Sequence, residues 1–296
     1  MAKGKAFIFS AGSKEGDDPS NADTWGADRV LEAEKVAWLC TDRQASDLVT
    51  RGGIIVSGMR IDGLFDLSFA RVPFVLIFAK CAFRDEISLI FTEFPGLSLD
   101  ESRVKGVMGT GLKSEGDVHL QHLHAEGEIS LRGATIGGEL DCRGAHIIST
   151  NGLALAADNL KVGRIDLEEV TAEGQIHLIG ATIVGQLNCQ GAHIVYTNGS
   201  TLVADHLRVG GSILLHYLRS EGEARLLNAT IGGNLECDDA QFINAGGFAL
   251  SIDGADIQGG IFLTRLKAQG EVRLPGSTIG KDLGCDGARI RIGRGI

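Results

Sequence analysis

Proline is nearly missing from this chain, at four of 296 residues, and aromatics make up only 5%. Glycine is abundant at 42 residues but does not fall at every third position, which excludes a collagen triple helix. Ile, Leu, Val and Ala recur throughout, so the composition is not that of a disordered chain. The six cysteines (Cys40, Cys81, Cys142, Cys189, Cys237, Cys285) contain no Cys-x-x-Cys pair, and the usual zinc spacings are absent. No apolar run approaches the roughly 18 residues of a membrane span. Ala6–Phe9 is too short for the apolar region of a secretory leader, so a cytoplasmic location is expected. Positive charge is also scarce: 28 Lys and Arg against 38 Asp and Glu give a net charge of −10. That balance lacks the basic footprint of a nucleic-acid binder, and no direct nucleic-acid binding is expected.

What the chain has instead is one phrase: Gly, any residue, apolar, any residue, apolar. It is written from Gly116 onward, and its second apolar residues are Leu120, Leu131, Cys142; Leu167, Leu178, Cys189; Leu215, Leu226, Cys237; and Leu263, Leu274, Cys285. Eleven of these twelve have Gly four residues earlier; Cys285 has Lys281. Spacing is 11 residues within a triplet and 25 or 26 between triplets. Self-similarity at a fixed period marks a stacked architecture. Side chains alternate along a strand, so Leu140 and Cys142 share a face, and after a corner Ala145 and Ile147 share the next.

A looser unit follows each triplet at Leu153/Leu155, Leu202/Ala204 and Leu250/Ile252. It comes after an extra turn at Ser149-Thr-Asn-Gly152, Tyr196-Thr-Asn-Gly199 or Asn244-Ala-Gly-Gly247. The 47–48-residue repeat is therefore two coils, of about 22 and 25 residues, and the extra turns should line one edge on every second coil. About ten coils from Ile54 would make a rod on the order of 50 Å long.

Three segments are expected: a flexible stretch over residues 1–22, an amphipathic capping helix over 23–42 with Asp23 or Thr24 as N-cap, and a β-solenoid over 54–296. Within the solenoid, 54–115 is irregular and 116–296 strictly repetitive. The irregular part holds seven of the twelve Phe, which are expected to fill the first coils. The strand-like Ala6–Phe9 could add to a neighbouring molecule's strand edge. Coils cover one another's apolar side chains, so both ends need caps. The sequence stops in repeat-like residues, which places an assembly edge at Ile290, Ile292 and Ile296.

Gly133-Ala-Thr-Ile-Gly-Gly138-Glu-Leu-Asp-Cys142 and its copies 180–189, 228–237 and 276–285 resemble pentapeptide-repeat-like, right-handed four-sided β-helices. They are similar in particular to bacterial solenoids with GAxIGGxLxLxGAxI repeats, often labelled membrane-associated oxidoreductases. Asp28–Leu39 looks like the helix that precedes the repeats in those proteins, and Gly63–Leu67 with Val72–Leu76 fits their pattern. The resemblance implies an all-β solenoid capped by an N-terminal helix and, by its label, a redox cofactor. No Gly-x-Gly-x-x-Gly lies between a strand and a helix, and Gly137-Gly138, Gly210-Gly211, Gly232-Gly233 and Gly259-Gly260 read as corners. No cofactor is assigned.

Candidate chemistry is sparse. Cys142, Cys189, Cys237 and Cys285 share one inward position with Leu120, Leu167, Leu215 and Leu263 between them. Neighbouring cysteines are then roughly 9–10 Å apart, too far for a disulfide or a shared zinc, and form a structural ladder. His146 and His193 point outward. His122 and His124, with His177 or Glu169 near them, are the weak metal candidates. The acids, Asp141 and Asp166 among them, read as a scattered solvated face, and no catalytic residue is assigned. The expected function is a non-enzymatic scaffold or protein-interaction module, self-associating or binding a protein partner through its coil ends. An acidic DNA mimic that binds a topoisomerase-like enzyme, and an oxidoreductase by label alone, are the alternatives. Peripheral membrane association stays open.

Overall fold

The computed structural model describes residues 7–8, 16–50 and 52–292. Nearly all of the regular structure is parallel strand, wound into a solenoid whose coils repeat four columns of residues. The first column sets the coil count: Ile54, Leu76, Leu97, Val118, Leu140, Ile165, Leu187, Ile213, Leu235, Ile261 and Leu283 pair in register, one on each of eleven coils. That is one coil more than the sequence pattern suggested, for a stack of about 50 Å. The second face carries the column Arg60, Ala82, Arg103, His124, His146, Thr171, His193, Arg219, Gln241, Lys267, Arg289. The third runs from Phe65 through Ile87, Val107, Ile129 and Leu155 to Leu250 and Val272. The fourth begins at Arg71, Glu93 and Lys113 and ends at Thr278. The expected four-sided coil of 22–25 residues is present.

A single coil buries almost nothing; its inward Leu, Ile and Cys are covered by the coils on either side, so stability is close to a sum of neighbour terms. Leu140, Cys142, Ile147, Ile165, Leu167 and Leu187 are all fully buried. The first coils are filled differently. Phe65, Phe78 and Phe83 pack as an aromatic cluster with ring centroids 5.3–5.9 Å apart.

The long strands His146–Ala156, His193–Val203 and Gln241–Ser251 each carry an extra turn where their register to the next coil shifts. The seven-residue strands Thr171–His177, Arg219–Arg225 and Lys267–Arg273 alternate with them. The extra turns therefore fall on every second coil, at the edge between the second and third faces. Gly222 crosses beneath one of them with φ 141°, and a Cβ there would lie 2.6 Å from the carbonyl oxygens of Gly199 and Tyr196, so only glycine fits. In the first copy the inward pair aligned with Leu202/Ala204 is Leu155/Ala157, not Leu153/Leu155.

The N-terminal end departs from expectation. The α-helix α1 spans Ala33–Thr41, shorter than the stretch 23–42, and a second short helix, α2, spans Arg43–Ser46 under an Asp42 cap. Residues Pro19–Thr24 form a 3-10 turn capped by Asp18 instead. Val30–Glu32 forms a strand because the exposed edge of Arg60–Asp62 offers it three paired positions. Phe7–Ile8 pairs with Val56–Ser57 of its own first coil, so this segment adds to the chain's own edge rather than a neighbour's. Ala33, Val36 and Cys40 of α1 enter the core and close this end of the stack. Between these elements the chain lies as a strap on the second face, where Ala22 and Trp25 pack on Ala82. Arg29 is buried, stacks 3.7 Å over the Trp25 ring, and donates from Nε to the Gly58 carbonyl at 2.8 Å.

Candidate functional site

The solenoid presents its chemistry as outward columns, so each predicted residue can be located by its column. Cys142, Cys189 and Cys237 stand inward, fully buried, alternating with Leu120, Leu167, Leu215 and Leu263. Burial pushes the Cys189 thiol up to about 12 and raises those of Cys142 and Cys237 as well, so these thiols are inert. Cys285 occupies the same column on the last coil and is exposed; all six cysteines are free.

His122 and His124 do not converge. His122 sits at a corner in the left-handed conformation, φ 51°, with its ring over Gly144. His124 points out from the second face and meets His146 edge-on at 5.1 Å. Burial, then Arg103 and His146, hold the His124 imidazole below its ordinary pKa. His177 belongs to the third face, 3.9 Å from Asp158. Among the described residues no group of three His, Cys, Asp or Glu is arranged to hold a metal. His193 is outward and meets Glu221 at 3.1 Å.

Asp141 and Asp166 are not solvated, although both stand on the outer side of the first face. Each is 1% exposed. Gln121 and Arg143 each donate to Asp141 at 2.6 Å, and Arg164 and Asn188 donate to Asp166 at 2.5 and 3.0 Å. Burial raises the Asp141 pKa, but its hydrogen bonds from Arg143 and Gln121 prevail and hold the carboxyl below the usual range. Neighbouring Glu139 is raised, first by burial and then by Asp141 and Asp166, against the opposing pull of Arg164. Arg143 and Arg164 pair with the aspartate of their own coil, while Gln121, Asn188 and the Arg164–Glu139 pair reach across to the neighbouring one, so the cluster is a clamp whose side chains cover one another.

The Gly-Gly pairs lie at the corner between the fourth and first faces. A Cβ on Gly210 would stand 2.2 Å from the Val184 carbonyl oxygen, so the corner is packed coil on coil. On the first coils this corner carries Pro73 and Pro95, beside a surface groove of about 520 Å3 that Arg71, Glu93 and Lys113 flank. A smaller cavity of about 170 Å3 lies between the strap and Arg103 and Lys105, and Arg84 at its wall pairs with Asp23 of the strap.

Two surface features were not anticipated or not fully so. Phe69 and Phe91 do not fill the core. They stand at a corner with φ 62° and 51°, 76% and 54% exposed, and stack at 5.7 Å. The left-handed conformation costs a non-glycine residue about 1–2 kcal/mol. The corner position breaks the alternation that would have told inward from outward. The second feature is the last described coil, where Leu283, Ile290 and Ile292 are 52%, 46% and 68% exposed; Ile296 lies outside the described residues.

No protein-family model matches this chain, and no curated protein does. Among solved structures the chain is similar to HetL, a pentapeptide repeat protein involved in heterocyst differentiation regulation from the cyanobacterium Nostoc sp. strain PCC 7120. The two are 17% identical, with 77% of this chain and 90% of HetL covered, at a TM-score of 0.26. The solenoid itself is established by the strand register. No helix among the described residues is long and apolar enough to cross a membrane.

Proposed function

We propose that this chain is a non-enzymatic solenoid scaffold, a protein-interaction module that self-associates through its last coil. One observation supports it most. Column by column, apolar side chains are covered up to Ile261 and Ala268, 0% and 2% exposed, while the residues paired to them, Leu283 and Ile290, are about half exposed. Exposed apolar area beside a strand edge favours pairing with another chain. The test is molar mass by light scattering over a wide concentration range. Mass should rise with concentration for the unmodified chain and stay at one copy for Ile290→Asp, with unchanged circular dichroism. A single copy at every concentration overturns the self-association.

The acidic DNA mimic finds no support in the surface. It needs an unbroken run of acids, whereas several carboxylates here are paired with cations, as in Asp205 with Arg225, Asp253 with Arg273, and Glu126 between Arg103 and Lys105.

A further inference from the structure

We infer that Asn198 is a self-modifying site: the backbone of Gly199 converts its side-chain amide to aspartate and isoaspartate, which puts a new carboxylate on the extra-turn edge without any enzyme.

The chain has eight asparagines, and only Asn151 and Asn198 are followed by glycine. Both dipeptides fall in extra turns, those of the first and second copies. Glycine has no Cβ, so its amide nitrogen stays open to the side chain before it. At the second turn Thr197, Asn198 and Gly199 are all exposed. The strand ladder passes them by. Val195 pairs with Glu173 on the coil before and with Glu221 on the coil after, and pairing resumes at Leu202 on one side and Ser200 on the other. The Asn198 side chain forms no hydrogen bond among the described residues. Gly199 thus has no ladder partner, and Asn198 no side-chain partner.

The step is intramolecular, and two groups adjacent along the chain meet at high effective concentration. The Gly199 nitrogen gives its proton to hydroxide and attacks Cγ of Asn198. The Cγ–Nδ2 bond breaks, and that nitrogen takes a proton from water and leaves as ammonia. A five-membered succinimide remains. Water then adds to one of its two carbonyl carbons: opening at Cγ gives aspartate, and opening at the backbone carbon gives isoaspartate. In sum one water enters and one ammonia leaves, with no oxidant or reductant.

The third extra turn is a control within the same molecule. Asn244 is followed by Ala245, whose Cβ crowds the attack, and its Nδ2 donates to the Phe248 carbonyl at 2.7 Å. Asn188 and Asn234 are held in the same way by Asp166 and Glu236, each at 3.0 Å. The consequence falls where two turns meet, because the Tyr196 hydroxyl lies 3.3 Å from where a Cβ of Gly152 would stand. A new charge there, or a backbone lengthened by one carbon, changes which partner charges the edge tolerates.

The test is peptide mapping by mass spectrometry on the full chain held folded in mildly alkaline buffer. The peptide containing Asn198 is expected to gain one mass unit and split into two chromatographic peaks, at a rate rising with hydroxide, while the Asn244 peptide stays unchanged. Gly199→Ala should slow the conversion by on the order of tenfold or more. Its φ is not in the left-handed region and its Cβ would meet only the Tyr196 ring edge at 3.3 Å, so the fold is kept. Asn198→Gln, which must close a larger ring, should leave that peptide's mass unchanged. An Asn198 peptide that keeps its amide in the folded chain overturns the inference, whatever it does in urea. So does conversion of Asn244 at the same pace, or a Gly199→Ala chain that converts as fast as the unmodified one.

Discussion

Residues 54–115 and 116–292 build the same coil by different means. In the second part, Leu and Cys alternate inward, corners carry Gly-Gly, and the extra turns recur on every second coil. In the first part, Phe65, Phe78 and Phe83 fill the interior, Pro73 and Pro95 take the corner, and the outer third face mixes exposed Leu64 and Met108 with exposed Asp66 and Glu86. Yet the strand register runs from one part into the other without a break, Leu97 to Val118 to Leu140. The coil is set by where inward apolar residues and corners fall, and it tolerates many ways of filling the inside. What the irregular part gains is freedom on its outside, and that is where the exposed Phe69–Phe91 pair lies.

Substitutions can test how deep this difference goes. The largest effect is expected in the aromatic interior: Phe78→Ala should cost about 4 kcal/mol and Leu215→Ala about 3 kcal/mol in urea unfolding followed by circular dichroism. Equal costs would mean that the two interiors are equally packed and the contrast is one of sequence only. Gly222→Ala, beneath an extra turn, should cost about 2–3 kcal/mol, because φ 141° and two carbonyl oxygens leave no room for a Cβ. An alanine at Gly106, an early glycine with ordinary φ, should cost less.

A third test addresses the clamp on the later coils. The Asp141 pKa is lowered in the folded chain, so its contribution is present above the unfolded carboxylate value and is lost as pH falls through the folded one. Asp141→Asn should flatten the acid limb of a stability–pH curve; an unchanged limb would show that the clamp does not link to folding. The smallest effect is expected at the early corner. Phe69→Asn should raise stability by up to about 1 kcal/mol by relieving left-handed strain. A loss of that size instead would make the stacked pair a structural element.

Much of the fold was legible because the Gly-x-apolar-x-apolar phrase states both corner and inward face. Leu120, Cys142 and Leu167 fall in one column as their spacing requires. Legibility failed where a residue's fate depends on a partner far away in sequence. Val30–Glu32 reads as helix from its neighbours, but the edge of Arg60–Asp62 makes it strand. Asp141 reads as a surface acid until Gln121, on the preceding coil, and Arg143 lie over it. Phe69 reads as core because alternation assigns every apolar residue a side, while a corner residue belongs to neither. Of the candidate residues, the cysteine ladder was visible from period alone; the exposed aromatic pair was hidden by the same rule that revealed the ladder.

The extra turns give the rod graduations. They begin at strands that start at His146, His193 and Gln241, two coils apart, hence at a pitch of roughly 9–10 Å along one edge. A flexible ligand that grips one mark finds the next at a fixed distance, so weak contacts at each would add as avidity rather than as separate affinities. Changing the number of coil pairs would then alter how many contacts are counted without altering any one of them.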